Sequence, residues 1–138
     1  MATVTVHSAG GLRQESEARS HHVVADESIE DGGGDSGPTP YELLLAALGS
    51  CTGMTLQLYA RRKGWPLEGV EVRLEHRRDY NRDCIECPDR DVLLDRIEKH
   101  IELRGPLSDD QRARLLDIAE RCPVQRTLSS PIQIVRVP

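Results

Sequence analysis

The longest apolar segment of the chain is residues 40–63, which read PYELLLAALGSCTGMTLQLYARRK. Pro40 suits the first turn of a helix, and Thr39 before it is a candidate N-cap. The segment ends in Arg-Arg-Lys at residues 61–63, cations that stabilise a helix C-terminus, and Gly64 follows as a candidate C-cap. These signals predict a helix over residues 40–63. Because it is apolar on nearly all sides, we expect it to be buried in the domain centre or at a subunit interface.

Strand patterns lie on both sides of this helix. Residues 68–78 and 96–104 alternate apolar and polar side chains, with Lys99 as the exception on the apolar face of the second segment. The alternation predicts two half-buried strands that pair antiparallel. Shorter strands are predicted at residues 2–8 and within residues 12–25.

The other segments complete an α+β pattern. Residues 26–40 contain four glycines and two prolines and are predicted to form a loop. Ser108-Asp109-Asp110-Gln111 has the form of a capping box, which opens a helix that we expect to end around Cys122-Pro123. Alternating apolar residues at 132–137 predict a last strand. The order of strands and helices indicates one α+β domain over residues 1–138.

Composition excludes some classes of partner. The formal net charge is -5, which argues against nucleic acid and against an anionic membrane. We expect no apolar run of the roughly 18 residues that a membrane span needs. The N-terminus lacks the pattern of a secretory signal, so we expect a cytoplasmic protein. In that reducing compartment the four cysteines are more often catalytic, redox-active or metal-binding than structural.

Cys51 lies in the most apolar helix, where a free cysteine usually packs as a small hydrophobe. Its neighbours Gly49, Ser50, Thr52 and Gly53 are small, however, and leave room for a substrate or another backbone. A thiol peroxidase needs a thiolate that attacks an O–O bond and becomes sulfenic acid, and a second thiol that condenses with it to a disulfide. Cys122 is a candidate for the second thiol.

A nearby cation would lower the pKa of such a thiol. Arg13 and Arg19 are candidates, because both lie in the N-terminal segment that could fold over the helix; the alternative for each is an exposed strand arginine. Glu42 could hold a catalytic arginine by a bidentate ion pair, or it could only complement the helix dipole as a first-turn acid.

Cys84 and Cys87 form a CxxC motif in a polar loop. One CxxC is a weak metal signal, because structural zinc needs four ligands, for which His76 and His100 are candidates. A zinc site, a disulfide or accessory redox pair, and no role at all remain open for these two cysteines.

Two motifs resemble the OsmC/Ohr family. Residues 37–52, GPTPYELLLAALGSCT, look like its central-helix signature, and Cys122-Pro123-Val124 with Thr127-Leu128 looks like its second-cysteine motif. The resemblance implies an OsmC-like α+β fold with antiparallel sheets around a long buried central helix, in an intertwined homodimer with active sites at the interface.

The resemblance also implies the roles of residues. Cys51 would be the peroxidatic thiol and Cys122 the resolving one, with an arginine–glutamate pair to activate the thiol and no metal or flavin. The position of the family's glutamate corresponds to Tyr41 here, and the acid is Glu42, one residue later. Members reduce organic hydroperoxides with electrons from dithiols such as lipoyl groups.

Two functional hypotheses follow. The first is a thiol-dependent peroxidase, in which an apolar lining from Leu44, Leu45, Leu48 and Met54 favours organic hydroperoxides over hydrogen peroxide. The second is an apolar-ligand-binding or redox-sensing module with little turnover. Tyr41 in place of the usual acid would explain the weak activity of such a module.

Overall fold

The computed structural model of the protein describes residues 1–80 and 93–138. It has the α+β architecture, with antiparallel sheets and a long helix, that the sequence predicts. In chain order the elements are β1 (Thr5–His7), β2 (Gln14–Ala18), β3 (His21–Ala25), α1 (Pro40–Lys63), β4 (Gly69–Tyr80), β5 (Leu93–Arg104), α2 (Asp109–Ala119) and α3 (Pro123–Leu128). The chain forms two compact units, Met1–Ala46 and Ala47–Pro138.

The first unit is a three-stranded antiparallel sheet in the order β1-β2-β3, followed by a loop. The buried carboxylate of Asp26 organises the predicted loop. It accepts hydrogen bonds from the Ser36 hydroxyl, from Ser36 N–H at 3.1 Å, from Glu27 N–H at 2.8 Å and from Gly34 N–H at 3.3 Å. These bonds, that of the Ser36 hydroxyl first, lower the pKa of Asp26 to about 2 because they stabilise the charged form.

The second unit is built on the hairpin of β4 and β5, whose antiparallel register runs from Gly69 opposite Arg104 to Tyr80 opposite Leu93. The apolar face of this hairpin packs on α1 and α2. The core of the unit consists of Leu56, Ala60, Leu115, Ile118 and Ala119. Leu56 and Leu115 are fully buried, and each such side chain contributes about 1.5–3 kcal/mol to folding.

Local hydrogen bonds fix both ends of α1. At its start the Thr39 hydroxyl accepts from Glu42 N–H at 3.2 Å, and the Glu42 carboxylate accepts from Thr39 N–H at 3.0 Å, which is a capping box. At its end Gly64 has φ 69°, and Trp65 N–H bonds to Ala60 C=O at 2.9 Å. This is a Schellman motif, so the predicted bounds of the helix are confirmed.

Only one stripe of α1 is buried, at Leu48, Thr52, Leu56 and Ala60. Side chains outside the stripe, such as Met54 and Leu58, are exposed. No charged residue lies between Glu42 and Arg61, and the helix is long and apolar enough to cross a membrane by length and composition, with a mean hydropathy of 1.4. The expectation that no such run exists was therefore wrong, although the core helix of a soluble protein meets the same criterion.

Two other expectations were wrong at the C-terminus. Residues 131–138 form no strand and are exposed, because neither sheet of the described residues extends an edge to them. The helix opened by Ser108 ends at Ala119 rather than at Cys122. Cys122 is instead the N-cap of the separate helix α3, in which Pro123 occupies the first turn.

Gly105, in the turn between β5 and α2, yields a prediction on stability. It has φ 132°, and a Cβ at this position would lie 2.1 Å from the Pro66 carbonyl oxygen. We expect Gly105→Ala to lower the free energy of unfolding by about 1–3 kcal/mol, because it adds a steric clash to a strained backbone. Urea denaturation measures the loss. Gly10→Ala is the matched control, since Gly10 has φ 115° with open space around it; equal losses in the two variants would contradict the proposed clash.

Candidate active site

The sulfur atoms of Cys51 and Cys122 meet at the first turn of α3. Gln125 N–H donates to Cys122 Sγ at 3.3 Å, and Val124 N–H donates to Cys51 Sγ at 3.5 Å. Both cysteines are free thiols, and the amides that donate to them belong to consecutive residues. Because Pro123 has no N–H, these two are the first amide donors of the helix, and each serves a different cysteine.

The burial of the two thiols differs. Cys122 has no exposed surface, whereas Cys51 is half-buried. Of the two cysteines, Cys51 is therefore the one that is accessible to solvent.

Thr52 adds a hydroxyl to this pair. Its side chain is fully buried, and Oγ1 lies 2.9 Å from the Leu48 carbonyl oxygen and 3.6 Å from Cys122 Sγ. A hydroxyl has one proton, so it donates to the carbonyl or to the sulfur, but not to both at once. An ionised Cys122 would draw this proton towards sulfur, since hydrogen bonds to charged acceptors are the stronger ones.

A buried cation, Lys99, lies on the apolar face of β5. Its side chain is only 9% exposed. The ammonium donates to the Ala119 carbonyl oxygen at 3.0 Å and to Gln125 Oε1, and it lies 3.7 Å from Glu120 Oε1. Lys99 was not among the candidate residues, although its place on an otherwise apolar strand face marked it in the sequence.

The environment of Cys122 favours its thiolate. Burial alone would raise the pKa of this thiol. The hydrogen bonds from Gln125 N–H, Thr52 and Cys51, together with the charge of Lys99, outweigh burial and lower the pKa below its usual value. These contacts poise the Cys122 thiol to act as a buried nucleophile.

A pocket of about 440 Å³ adjoins this cluster. Its lining is mixed in polarity and consists of Leu48, Asp95, Ile97, Lys99, Glu120, Gln125, Leu128 and Ser129. Of the apolar residues expected to line the site, Leu48 does so here, whereas Met54 is 66% exposed.

The three remaining candidate residues belong to the first unit. Arg13 is half exposed and donates to Glu15 Oε1 at 3.2 Å, and Arg19 is exposed in the β2–β3 turn with φ 57°. The Glu42 carboxylate completes the capping box, and its hydrogen bond with Thr39 N–H is the main reason that its pKa is lowered. The roles of these three residues in activating a thiol stay predictions.

Within residues 1–80 and 93–138, no group of three or more His, Cys, Asp and Glu side chains could hold a metal ion. His76 instead bonds to Asp95 at 2.8 Å, and His100 is exposed. Cys84 and Cys87 lie outside the described residues, so the zinc and disulfide alternatives for them stay predictions.

Comparison with known proteins identifies the family. Residues 32–135 match the family model described as OsmC-like protein, and no curated protein matches the sequence. A Psychrobacter arcticus structure, named for an osmotic stress and detoxification response, is 20% identical with a TM-score of 0.72, over 92% of this chain and 88% of that chain.

Two further structures have the same fold. An OsmC-like protein from Mycoplasma pneumoniae is 20% identical with a TM-score of 0.70, over 93% of this chain and 85% of that chain. The organic hydroperoxide resistance protein OsmC from Legionella pneumophila is 19% identical with a TM-score of 0.66, over 94% and 89%. The family match, the shared fold and the two cysteine motifs together show that this chain belongs to the OsmC/Ohr family of OsmC-like proteins.

Proposed function

We propose that the protein is a cysteine-based peroxidase that reduces organic hydroperoxides through a Cys51 sulfenate and a Cys51–Cys122 disulfide. The observation that carries the proposal is that two free thiols of different burial accept hydrogen bonds from consecutive amides, those of Val124 and Gln125. Support also comes from the family, in which solved relatives from Legionella pneumophila and Vibrio cholerae are named organic hydroperoxide resistance proteins.

In the first step the Cys51 thiolate attacks one oxygen of the hydroperoxide. The S–O bond forms as the O–O bond breaks, and the alkoxide leaves with a proton as the alcohol. Sulfur is oxidised to sulfenic acid and the peroxide is reduced. Cys51 suits this step because it is the more accessible of the two thiols.

In the second step the buried Cys122 thiolate attacks the sulfur of the sulfenic acid. The S–S bond forms, the S–O bond breaks, and hydroxide leaves and is protonated to water. The hydrogen bonds that lower the pKa of Cys122 increase the thiolate fraction available for this attack. An external dithiol, such as a lipoyl group, then reduces the disulfide by thiol exchange.

Activation of Cys51 is assigned to Arg13 or Arg19, oriented by Glu42. A guanidinium beside the thiolate would also stabilise the charge that develops on the leaving oxygen. This chemistry uses no metal or other cofactor, and a reducing cytoplasm would supply the dithiol.

Cysteine variants test the two steps separately. We expect Cys51→Ser to reduce cumene hydroperoxide turnover to the uncatalysed rate, because the attacking sulfur is lost. We expect Cys122→Ser to form one stable sulfenic acid at Cys51, captured by dimedone and located by mass spectrometry. Wild type should oxidise faster with cumene hydroperoxide than with hydrogen peroxide in stopped flow.

Cys84→Ser/Cys87→Ser is the matched control and should leave the disulfide mapped to Cys51–Cys122. Equal and slow oxidation by both peroxides would contradict the peroxidase and favour a redox-sensing or ligand-binding module.

We further propose a homodimer. Apolar side chains are exposed on α1, where Met54 is 66% and Leu58 is 55% exposed, and in residues 131–138, where Ile134 is 91% and Val137 is 77% exposed. An alternating segment of this kind is stable as a strand only when it pairs with another edge, and a second copy of the chain offers one. The same copy would cover the apolar surface of α1.

Sedimentation velocity tests the dimer. We expect wild type to sediment with the mass of two chains and Ile134→Lys/Val137→Lys to shift towards one chain, because a buried unpaired lysine is costly. Leu116→Lys is the control, since Leu116 is 44% exposed on α2, and it should keep the mass of two chains. A wild-type protein with the mass of one chain at the same concentration would contradict the dimer.

A further inference from the structure

Lys99 occupies an unusual position for its residue type. The chain has only two lysines, Lys63 and Lys99, among 18 Lys and Arg residues. Lys63 lies at the exposed end of α1, whereas the side chain of Lys99 is 9% exposed on the apolar face of β5. A buried ammonium is costly unless its donors are all satisfied.

The ammonium of Lys99 contacts three oxygen atoms. It donates to the Ala119 carbonyl oxygen at 3.0 Å and to Gln125 Oε1, and it forms an ion pair with Glu120 Oε1 at 3.7 Å. A compact ammonium can serve three acceptors in different directions, which a planar guanidinium serves less well. The residue therefore joins β5 to the end of α2 and the first turn of α3.

Gln125 connects this cation to the cysteines. Its side chain is held between Lys99 and Glu120, to whose Oε2 its Nε2 donates at 2.7 Å, and its backbone N–H donates to Cys122 Sγ. Holding the side chain therefore fixes the amide that faces the sulfur. The charge of Lys99 also acts on Cys122 directly.

We propose that Lys99 is the positioning residue for the resolving thiolate: it holds Gln125 against Cys122 and supplies the buried positive charge that favours the anion. Among the described residues, the ionisable groups that act on the Cys122 thiol are Cys51 from α1 and Lys99 from β5, and Glu120 beyond α2 pairs with that lysine. Of these, only Lys99 adds positive charge. The assignment of a chemical step to Lys99 depends on the proposed peroxidase; its effect on the thiol does not.

The chemical step assigned to Lys99 is resolution, in which the second thiol converts the sulfenic acid to a disulfide. The Cys122 thiolate donates an electron pair to the sulfur of the Cys51 sulfenic acid, the S–S bond forms as the S–O bond breaks, and hydroxide leaves and is protonated to water. Without Lys99 a smaller fraction of Cys122 is ionised near neutral pH, so resolution slows. Sulfenic acid formation at Cys51 precedes this step and should keep its rate.

Thiolate absorbance of a single-cysteine protein tests the inference without any peroxide. In a Cys51→Ser/Cys84→Ser/Cys87→Ser background, we expect Lys99→Met to raise the ionisation midpoint of Cys122 by about one pH unit, because an opposite charge is lost. Lys99→Arg should restore part of the shift, and the control Lys63→Met should cause none. Equal midpoints in the Lys99→Met and Lys63→Met proteins would overturn the inference.

Glu120→Gln keeps the test decisive if Lys99→Met does not fold. The Glu120 side chain is 63% exposed, so its replacement should be tolerated. It removes a negative charge that partly neutralises Lys99, while the amide oxygen of the new side chain can still accept from Gln125 Nε2, so we expect the midpoint of Cys122 to fall. A midpoint that rises or stays constant in this folded variant would contradict the role of Lys99.

Quenched-flow mass spectrometry of the four-cysteine protein tests the step itself. We expect Lys99→Met to slow disulfide formation about tenfold at neutral pH, with the loss recovered as pH rises, because one unit in pKa changes the thiolate fraction tenfold. The rate at which the Cys51 thiol is oxidised should be unchanged, and dimedone should capture more of the Cys51 sulfenic acid because it persists longer before resolution. A wild type that forms no sulfenic acid would refute the peroxidase, while the thiolate titration would still decide the role of Lys99.

Discussion

The two amide groups at the start of α3 are the constraint on which the site depends. Val124 N–H and Gln125 N–H each donate to a cysteine sulfur, and the two cysteines come from helices that are distant in sequence. Cys122 lies at this turn because it is the N-cap of α3. Cys51 lies there because α1 passes the same turn. An N-cap that in most helices is a serine or aspartate is here a thiol, so the group that caps the amides of α3 is also one that can be oxidised.

The rest of the second unit holds this turn in place. The stripe of Leu48, Thr52 and Leu56 fixes the rotation of α1, and Thr52 brings its hydroxyl to Cys122. The core residues of α2 fix where that helix ends, and Lys99 then ties its last carbonyl to the side chain of Gln125. Apolar packing thus places the sulfurs, and a few polar bonds adjust their chemistry.

Much of this could be predicted from local patterns in the sequence. The capping residues Thr39 and Ser108, the C-cap Gly64 and the alternation of β4 and β5 are short-range signals, and the structure confirms each of them. The break between α2 and α3 could not be predicted as easily. A proline such as Pro123 is compatible both with the end of one helix and with the first turn of the next, so the local sequence does not distinguish them. Only the packing of Cys122 decides between the two. Residues 131–138 show the same limit, because an alternating segment does not specify the edge with which it pairs.

Lys99 shows a different limit. The alternation of β5 located Lys99 on the apolar face. No local sequence rule, however, says whether the ammonium of such a lysine has specific hydrogen-bond partners. The answer depends on acceptors that come from 20 and 26 residues further along the chain. Once these acceptors are known, the different roles proposed for Cys51 and Cys122 follow from their burial and from the nearby charge. In the proposed peroxidase, the accessible sulfur of Cys51 meets the oxidant, and the buried sulfur of Cys122, close to amide donors and to Lys99, attacks the sulfenic acid that forms beside it.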